Sequence, residues 1–228
     1  MTAPSLALPA GLGARARQSL GTSHAAIYEQ VASALDRHGV HGGRAVDVGC
    51  GAGSLFGVIG TRFASYAGLD AVRYAALPPA VTFYQVDLDE AAWPALPAPA
   101  DAVLAIETIE HLENPWAFMR RLFALTAPGG LVIVTTPNQL SLLSLLTLVV
   151  KRRFSAFQDA HYPAHRTALL ESDLVRAVQA CSLEVTEVAY TGYGRLPFAA
   201  WHYPAAVARL APRWLSDNLM VVARRPRA

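Results

Sequence analysis

Cysteine is scarce in this chain of 228 residues, since Cys50 and Cys181 are the only two. Two cysteines without a Cys-x-x-Cys spacing exclude a scaffold built on disulfide bonds. Long apolar runs are also missing, and none reaches the roughly 18–20 residues that a helix needs to cross a bilayer. The first residues lack a basic stretch followed by an apolar one, so we expect no signal peptide and a cytoplasmic protein.

A strong excess of one charge is missing as well. The chain has 19 lysine and arginine residues and 17 aspartate and glutamate residues, which leaves a formal net charge of +2. This near balance argues against a nucleic-acid-binding surface. Apolar residues make up 53% of the chain, and the length suits one sizeable α/β core. We expect a flexible tail at 1–21, rich in alanine, glycine, proline and serine, before a single domain at 22–228.

Short apolar runs alternate with segments of helical periodicity along most of the chain. Strands are predicted at 45–48, 65–69, 81–86, 102–106, 131–135, 183–191 and 217–224. Helices are predicted at 24–38, 53–63, 114–126, 139–151 and 171–181, with Thr22 or Ser23 as the cap of the first. This alternation implies a doubly wound α/β sheet with parallel strands, in which ligands bind at the carboxyl ends of the strands.

A glycine-rich turn follows the first strand, where residues 46–55 read Val-Asp-Val-Gly-Cys-Gly-Ala-Gly-Ser-Leu. Glycine lacks a Cβ atom, so this backbone can approach a ligand closely, and a helix that starts here directs its N–H groups at that ligand. The alternative is an ordinary turn between a strand and a helix. A dinucleotide dehydrogenase would carry a third glycine where Ser54 stands, which disfavours that class.

Acidic residues close the next three strands. Asp70 ends the second predicted strand, Asp87 follows the third and Glu107 follows the fourth. Carboxyl ends of parallel strands share one edge of the sheet, so these side chains are expected on the ligand side. A carboxylate only accepts hydrogen bonds and can accept two at once, which suits a pair of hydroxyl groups.

These elements, in this order, resemble the class I S-adenosylmethionine (SAM) methyltransferases over residues 44–137, together with Pro128-Gly129-Gly130 before the fifth strand. The resemblance implies a Rossmann-like sheet of seven mostly parallel strands with an antiparallel last strand. It implies that Asp70 binds the ribose, that Asp87 and the Leu88 backbone bind the adenine, and that Gly49 and Gly51 line the methionine end. The full set of expected cofactor-binding residues is Asp47, Gly49, Cys50, Gly51, Gly53, Asp70, Ala71, Asp87, Leu88 and Glu107.

A second motif follows the fourth strand, where residues 107–114 read Glu-Thr-Ile-Glu-His-Leu-Glu-Asn. One helical turn would bring Glu107, Glu110 and His111 together, because residues three and four apart share a helix face. Two carboxylates and an imidazole can bind Mg²⁺, Mn²⁺ or Zn²⁺. Without a metal, His111 is the best general base, since its ordinary pKa lies near neutrality. We therefore expect these three residues to be catalytic.

The Glu-x-x-Glu-His pattern resembles the ubiquinone-pathway O-methyltransferases and the small-RNA 2′-O-methyltransferases. In those enzymes the motif and a distant histidine hold a metal that bridges neighbouring oxygens. The resemblance implies a metal set of Glu107, Glu110, His111 and His165, with His161 as the competitor of His165. Relatives without a metal carry the same pattern, and in them the histidine acts as a base or orders the loop.

Two segments, 139–170 and 195–216, are expected to cover the substrate side. Residues 140–153 form an apolar stretch that ends in Lys151-Arg152-Arg153. Such a helix packs in the core, acts as a lid over an apolar substrate, or lies on a membrane surface. The sequence does not decide between these three interpretations.

The expected function is SAM-dependent O-methylation of a hydroxyl on a small molecule, sugar or lipid-like precursor. No nucleic-acid partner is expected. C- or N-methylation without a metal is the first alternative, and a SAM-binding protein that has lost catalysis is the second. The sequence does not identify the substrate or the oligomeric state.

Overall fold

The computed structural model describes residues 13, 18, 21–90, 92–197, 199 and 201–227. Within them a sheet is built from β1 (Arg44–Val48), β2 (Ser65–Asp70), β3 (Thr82–Gln85), β4 (Ala100–Ile106), β5 (Thr126–Pro137), β6 (Glu184–Tyr190) and β7 (Asn218–Arg224). The strand order is β3-β2-β1-β4-β5-β7-β6. Strands β1 to β5 pair in parallel, and β7 runs antiparallel to both β5 and β6. The expected seven-stranded sheet with an antiparallel last strand is confirmed.

Helices cover both faces of this sheet. They are α1 (Ala25–Arg37), α2 (Ser54–Ile59), α3 (Pro115–Leu125), α4 (Leu142–Lys151), α5 (Glu171–Gln179), α6 (Ala205–Ala208) and α7 (Pro212–Leu215), with 3-10 turns at Gly60–Arg62, Ile109–His111 and Asp159–His161. One core cluster joins the sheet to α3 and α5, and the other joins it to α1 and α2. The doubly wound arrangement is therefore confirmed, and it places the reversal of strand order between β1 and β4.

The bounds of several elements differ from the prediction for local reasons. The cap of α1 is His24, whose Nδ1 accepts the Ala26 N–H, and not Thr22 or Ser23. Strand β5 begins five residues before the predicted start, because Thr126 pairs with Ala100 ahead of an irregularity in the register.

The predicted tail lies outside the described residues except at 13, 18 and 21. Gly21 is packed against the glycine turn, since its carbonyl accepts the Ala52 N–H at 2.8 Å. Within the described part of the chain, no helix combines the length and the apolar character needed to cross a bilayer.

Candidate active site

A cavity of about 470 Å³ opens at the carboxyl ends of the strands around the reversal of strand order. It is lined by almost every residue that the sequence singled out: Asp47, Gly49, Cys50, Gly51, Asp70, Ala71, Asp87, Leu88, Glu107, Glu110, His111 and His165. Gly53 does not line it. The structure thus brings two sequence motifs, separated by about fifty residues, to one cavity.

Two glycines of the turn have no room for a side chain. Gly49 has φ +82°, and a Cβ there would lie 2.3 Å from the Thr108 Oγ1 atom. Gly51 has φ +52°, and a Cβ there would lie 2.2 Å from the Gly21 carbonyl oxygen. A side chain at residue 51 would therefore collide with the protein backbone. Gly53, at φ +80°, precedes the first residue of α2.

Asp70 is held by the turn that it faces. Its Oδ2 accepts the Gly51 N–H at 2.9 Å, and its Oδ1 accepts the Val72 N–H at 3.2 Å. Burial raises the pKa of this carboxyl, and the backbone N–H groups partly offset that effect. Each oxygen has lone pairs beyond those used by the backbone, so the carboxylate can accept two further hydrogen bonds.

Asp87 and Leu88 form the neighbouring wall of the cavity after β3. The Asp87 Oδ1 accepts the Asp89 N–H at 3.0 Å, which orients the carboxylate. Ala71 also lines the cavity, next to Asp70 in the chain. The residues expected at the ribose and at the adenine therefore line the same cavity.

Asp47 forms a buried pair with Tyr66, whose hydroxyl donates to the Asp47 Oδ2 at 2.9 Å. Burial raises the pKa of Asp47 from 3.8 to about 7, the hydrogen bond from Tyr66 lowers it, and the charge of Asp70 raises it. The Asp47 carboxyl lines the cavity beside Asp70.

Glu107 does not join the expected metal group. Its backbone has φ +50°. Its Oε1 accepts the Thr135 hydroxyl at 2.9 Å, and its Oε2 accepts the Asn218 side-chain N–H at 2.7 Å. Burial and the charge of Glu110 raise the pKa of Glu107 well above its ordinary value. Residues of β5 and β7 hold both carboxylate oxygens of Glu107. The expectation that four ligands converge is therefore wrong, because Glu107 does not join the other three.

The other three predicted ligands do meet. Glu110, His111 and His165 each place one possible ligand atom within 4.8 Å of the others. The Glu110 Oε2 accepts the Thr136 hydroxyl at 3.2 Å, while its buried Oε1 has no hydrogen-bond partner among the described residues. Burial raises the pKa of Glu110 to about 8. The convergence rests on a 3-10 turn at Ile109–His111, where a helical turn was expected.

Backbone carbonyls orient both histidines. The His111 Nδ1 lies 2.9 Å from the Ala164 carbonyl oxygen, and the His165 Nδ1 lies 2.7 Å from that of Ala156. A carbonyl only accepts, so each Nδ1 carries the proton and each lone pair resides on Nε2. Burial, together with the charge of His111, lowers the pKa of His165 from 6.5 to about 4. His161 stacks on His165 at 5.5 Å and does not belong to the group.

One wall of the cavity was missed by the sequence reasoning. His24, Tyr193 and His202 form a stack with successive ring centroids 4.1 Å apart. The three rings come from the start of α1 and from the loop between β6 and α6. No sequence pattern links segments this distant, although the aromatic content of 195–216 indicated a role in shaping the cavity.

Comparison with known proteins identifies the family. A family model described as a methyltransferase domain matches residues 23–188. The ubiquinone biosynthesis O-methyltransferase of Idiomarina loihiensis is 28% identical over 154 residues, which cover 64% of this chain and 63% of that relative. The chain thus matches somewhat less than two thirds of that relative's length.

Solved structures share the fold. A SAM-dependent methyltransferase from Clostridium acetobutylicum aligns with a TM-score of 0.61 at 8% identity, over 91% of this chain and 94% of that one. The N-methyltransferase NodS from Bradyrhizobium japonicum, in complex with S-adenosyl-L-homocysteine, aligns with a TM-score of 0.55 at 12% identity, over 88% of each chain. The chain belongs to the methyltransferase-domain family and has the fold of the class I SAM-dependent methyltransferases.

Proposed function

We propose that this enzyme transfers a methyl group to a hydroxyl oxygen of a small molecule, sugar or lipid-like precursor. The observation that carries this proposal is the meeting of Glu110, His111 and His165 in the cavity that also contains the glycine turn and Asp70. A hydroxyl is a poor nucleophile until its proton leaves, and this cluster supplies a proton acceptor beside the cofactor cavity. The O-methyltransferase name of the Idiomarina relative supports the same choice.

The cofactor fits the residues present. Gly49 and Gly51 line the cavity with bare backbone, and Asp70 offers two oriented carboxylate oxygens. We propose that Asp70 accepts the two ribose hydroxyls, and that Asp87 and the Leu88 backbone hold the adenine. SAM supplies the activated methyl group, so the protein has to position the acceptor and remove its proton.

His111 is the proposed general base. Its Nδ1–H is held by the Ala164 carbonyl, so its lone pair lies on Nε2. The acceptor oxygen attacks the methyl carbon, the bond from that carbon to the sulfur breaks, and the hydroxyl proton moves to Nε2 of His111. The carbonyl that accepts from Nδ1 then stabilises the charged imidazole in its orientation.

The same three side chains also fit a divalent metal. Glu110 has a buried oxygen without a hydrogen-bond partner in the described part of the chain, and both histidines are oriented through Nδ1 as metal-bound histidines are. Two imidazole nitrogens and one carboxylate oxygen suit Zn²⁺ or Mn²⁺ better than Mg²⁺, which prefers oxygen. Such an ion, when bound, would lower the pKa of the acceptor hydroxyl and orient it.

Single substitutions test the cluster against a structural role. We expect His111→Ala to lower kcat by about 100-fold or more, the usual contribution of a general base, while the Kd for SAM stays within about twofold. His41→Ala is the matched control, because His41 is exposed near the amino ends of the strands. The assay follows transfer from labelled SAM to a metabolite extract by mass spectrometry. Full activity of His111→Ala would contradict the proposal.

Chelation separates the two versions of the mechanism. If a metal takes part, EDTA abolishes turnover, and Zn²⁺ or Mn²⁺ restores it more effectively than Mg²⁺. If His111 acts alone, activity persists in EDTA, while Glu110→Gln and His165→Ala alter kcat far less than His111→Ala. Neither result changes the predicted dependence on His111.

A further inference from the structure

Helix α4 exposes apolar residues at both of its ends, while the leucines between them are half-buried. Its sequence is Leu-Leu-Ser-Leu-Leu-Thr-Leu-Val-Val-Lys, yet Ser144 is its one fully buried residue. The Ser144 hydroxyl accepts the Ser155 N–H at 3.2 Å and lies 3.5 Å from the Gln139 side chain. Val149 and Val150 are 79% and 67% exposed. The carboxyl-terminal end of this helix, which carries the two exposed valines, is therefore not packed in the core.

Other exposed apolar side chains lie in the same two segments, 139–170 and 195–216, which we call the cover. Eleven large apolar side chains are exposed among the described residues, and eight belong to the cover: Leu142, Val149, Val150, Tyr162, Trp201, Val207, Leu210 and Trp214. Trp201 is 76% and Leu210 is 84% exposed. Single exposed apolar residues are ordinary, but this concentration on two segments indicates an interaction surface.

The cover is also strongly basic. It contains seven lysine and arginine residues and one acidic residue, Asp159, so its formal charge is +6. The whole chain carries +2, which leaves −4 for the remainder. Lys151, Arg152 and Arg153 follow directly on the exposed valines and are themselves exposed. Three of the arginines of the cover form ion pairs with carboxylates outside it, which reduces its unbalanced charge from +6 to +3. The near-neutral chain therefore still carries an excess of positive charge on the cover.

The two segments of the cover are joined at the carboxyl end of β5, above the cavity. The Asn138 side-chain N–H donates to the carbonyls of Arg213 and Ser216, which ties the start of the first segment to α7. Ser155, which binds the Ser144 hydroxyl, lines the cavity itself. The buried side of α4 thus lies one hydrogen bond away from a residue of the cavity wall.

We propose that the outer face of the cover docks on a bilayer surface that contains anionic lipids. Exposed tryptophan, leucine and valine enter the interfacial layer, and the basic residues pair with the negative surface charge. A second copy of the chain is a poor occupant, because a symmetric contact would bring the unbalanced positive charges of two covers together. Docking through this outer face does not depend on which atom the enzyme methylates.

Sedimentation with vesicles tests the docking. The full chain is mixed with vesicles of phosphatidylcholine, or of phosphatidylcholine and phosphatidylglycerol, at low and high salt. We expect binding to the anionic vesicles alone, weakened by salt. Lys151→Gln/Arg152→Gln should weaken it about 25-fold, because each basic residue near such a surface contributes about fivefold. Trp201→Ser/Leu210→Ser should weaken it about tenfold through lost apolar area.

Matched variants elsewhere on the surface keep the test specific. Arg120→Gln/Arg176→Gln removes two exposed charges outside the cover, and Val58→Ser/Trp116→Ser removes two exposed apolar side chains of similar size. Both control variants should bind like the unmodified chain, and circular dichroism should show all four folded. Equal binding to neutral vesicles, unchanged binding of the cover variants, or salt-resistant dimers without vesicle binding would each overturn the proposal. Activity on soluble acceptors should be retained in every variant, so failure of docking is separable from failure of the proposed chemistry.

Discussion

Replacing Asp70 by asparagine probes the cofactor cavity at one atom. In the folded chain the two carboxylate oxygens accept the N–H groups of Gly51 and Val72, and the remaining lone pairs face the cavity. Asparagine keeps the size but turns one acceptor into a donor, which then faces a backbone N–H. The variant loses one or two charge-assisted bonds to the ribose, and each is worth about 1.5–3 kcal/mol. We expect a loss of about 2–4 kcal/mol, which is about 30- to 1000-fold in the Kd for SAM.

Isothermal titration with SAM and with S-adenosyl-L-homocysteine measures this loss. Asp101→Asn is the matched control, because the Asp101 Oδ2 accepts the Arg44 N–H at 2.8 Å but lies at the amino end of the sheet. The control should bind both compounds normally. A folded Asp70→Asn variant with unchanged affinity for both would remove Asp70 from the cofactor site and refute the reasoning.

Three further outcomes follow from the buried groups around the cavity. Asp47 has its pKa raised from 3.8 to about 7 by burial, so between these values the folded chain binds a proton that the unfolded chain lacks. The free energy of unfolding should therefore fall as pH rises through this window, by at most about 1.4 kcal/mol per pH unit from this group, and Asp47→Asn should remove that contribution in urea titrations. Tyr66→Phe should lower the free energy of unfolding by about 1–3 kcal/mol, because the buried Asp47 carboxylate loses its hydrogen-bond donor. The loss should be larger at pH 8, where Asp47 is ionised, than at pH 5, and equal losses at both pH values would argue against an ionised Asp47. Gly51→Ala should lower both the melting temperature and the affinity for SAM, because residue 51 has a positive φ and its new Cβ would collide with the Gly21 carbonyl. An unchanged melting temperature and an unchanged Kd for SAM, both measured by calorimetry, would show that the segments around Gly21 and Gly51 can move apart without cost.

Much of the architecture was predictable because local pattern and tertiary structure agree. The predicted carboxyl ends of the first, second and fourth strands fall within one residue of the observed ones, since the apolar runs there stop at Gly49, Asp70 and Glu107, which line the cavity. Strand β5 was predicted too short, because its first residues pair with β4 across an irregularity that sequence periodicity does not reveal.

The candidate site was predicted in its residues but not in all of its geometry. Glu107 stands at helical spacing from Glu110, yet its positive φ and its bonds to Thr135 and Asn218 direct the carboxylate elsewhere. The contact between Gly21 and Gly51 joins segments thirty residues apart, so no local rule predicts it. Spacing and the family resemblance predicted the candidate residues, and long-range packing decides which of them meet.

The identity of the methylated atom tests the central claim most directly. The enzyme is incubated with SAM that is isotope-labelled in its methyl group and with the acceptor recovered from a metabolite extract, and the product is examined by carbon NMR. We expect the labelled product of the unmodified enzyme to show a methoxy resonance, and we expect this resonance to disappear with His111→Ala. A label found on nitrogen or carbon would contradict O-methylation and the role of the Glu110, His111 and His165 cluster in removing a hydroxyl proton.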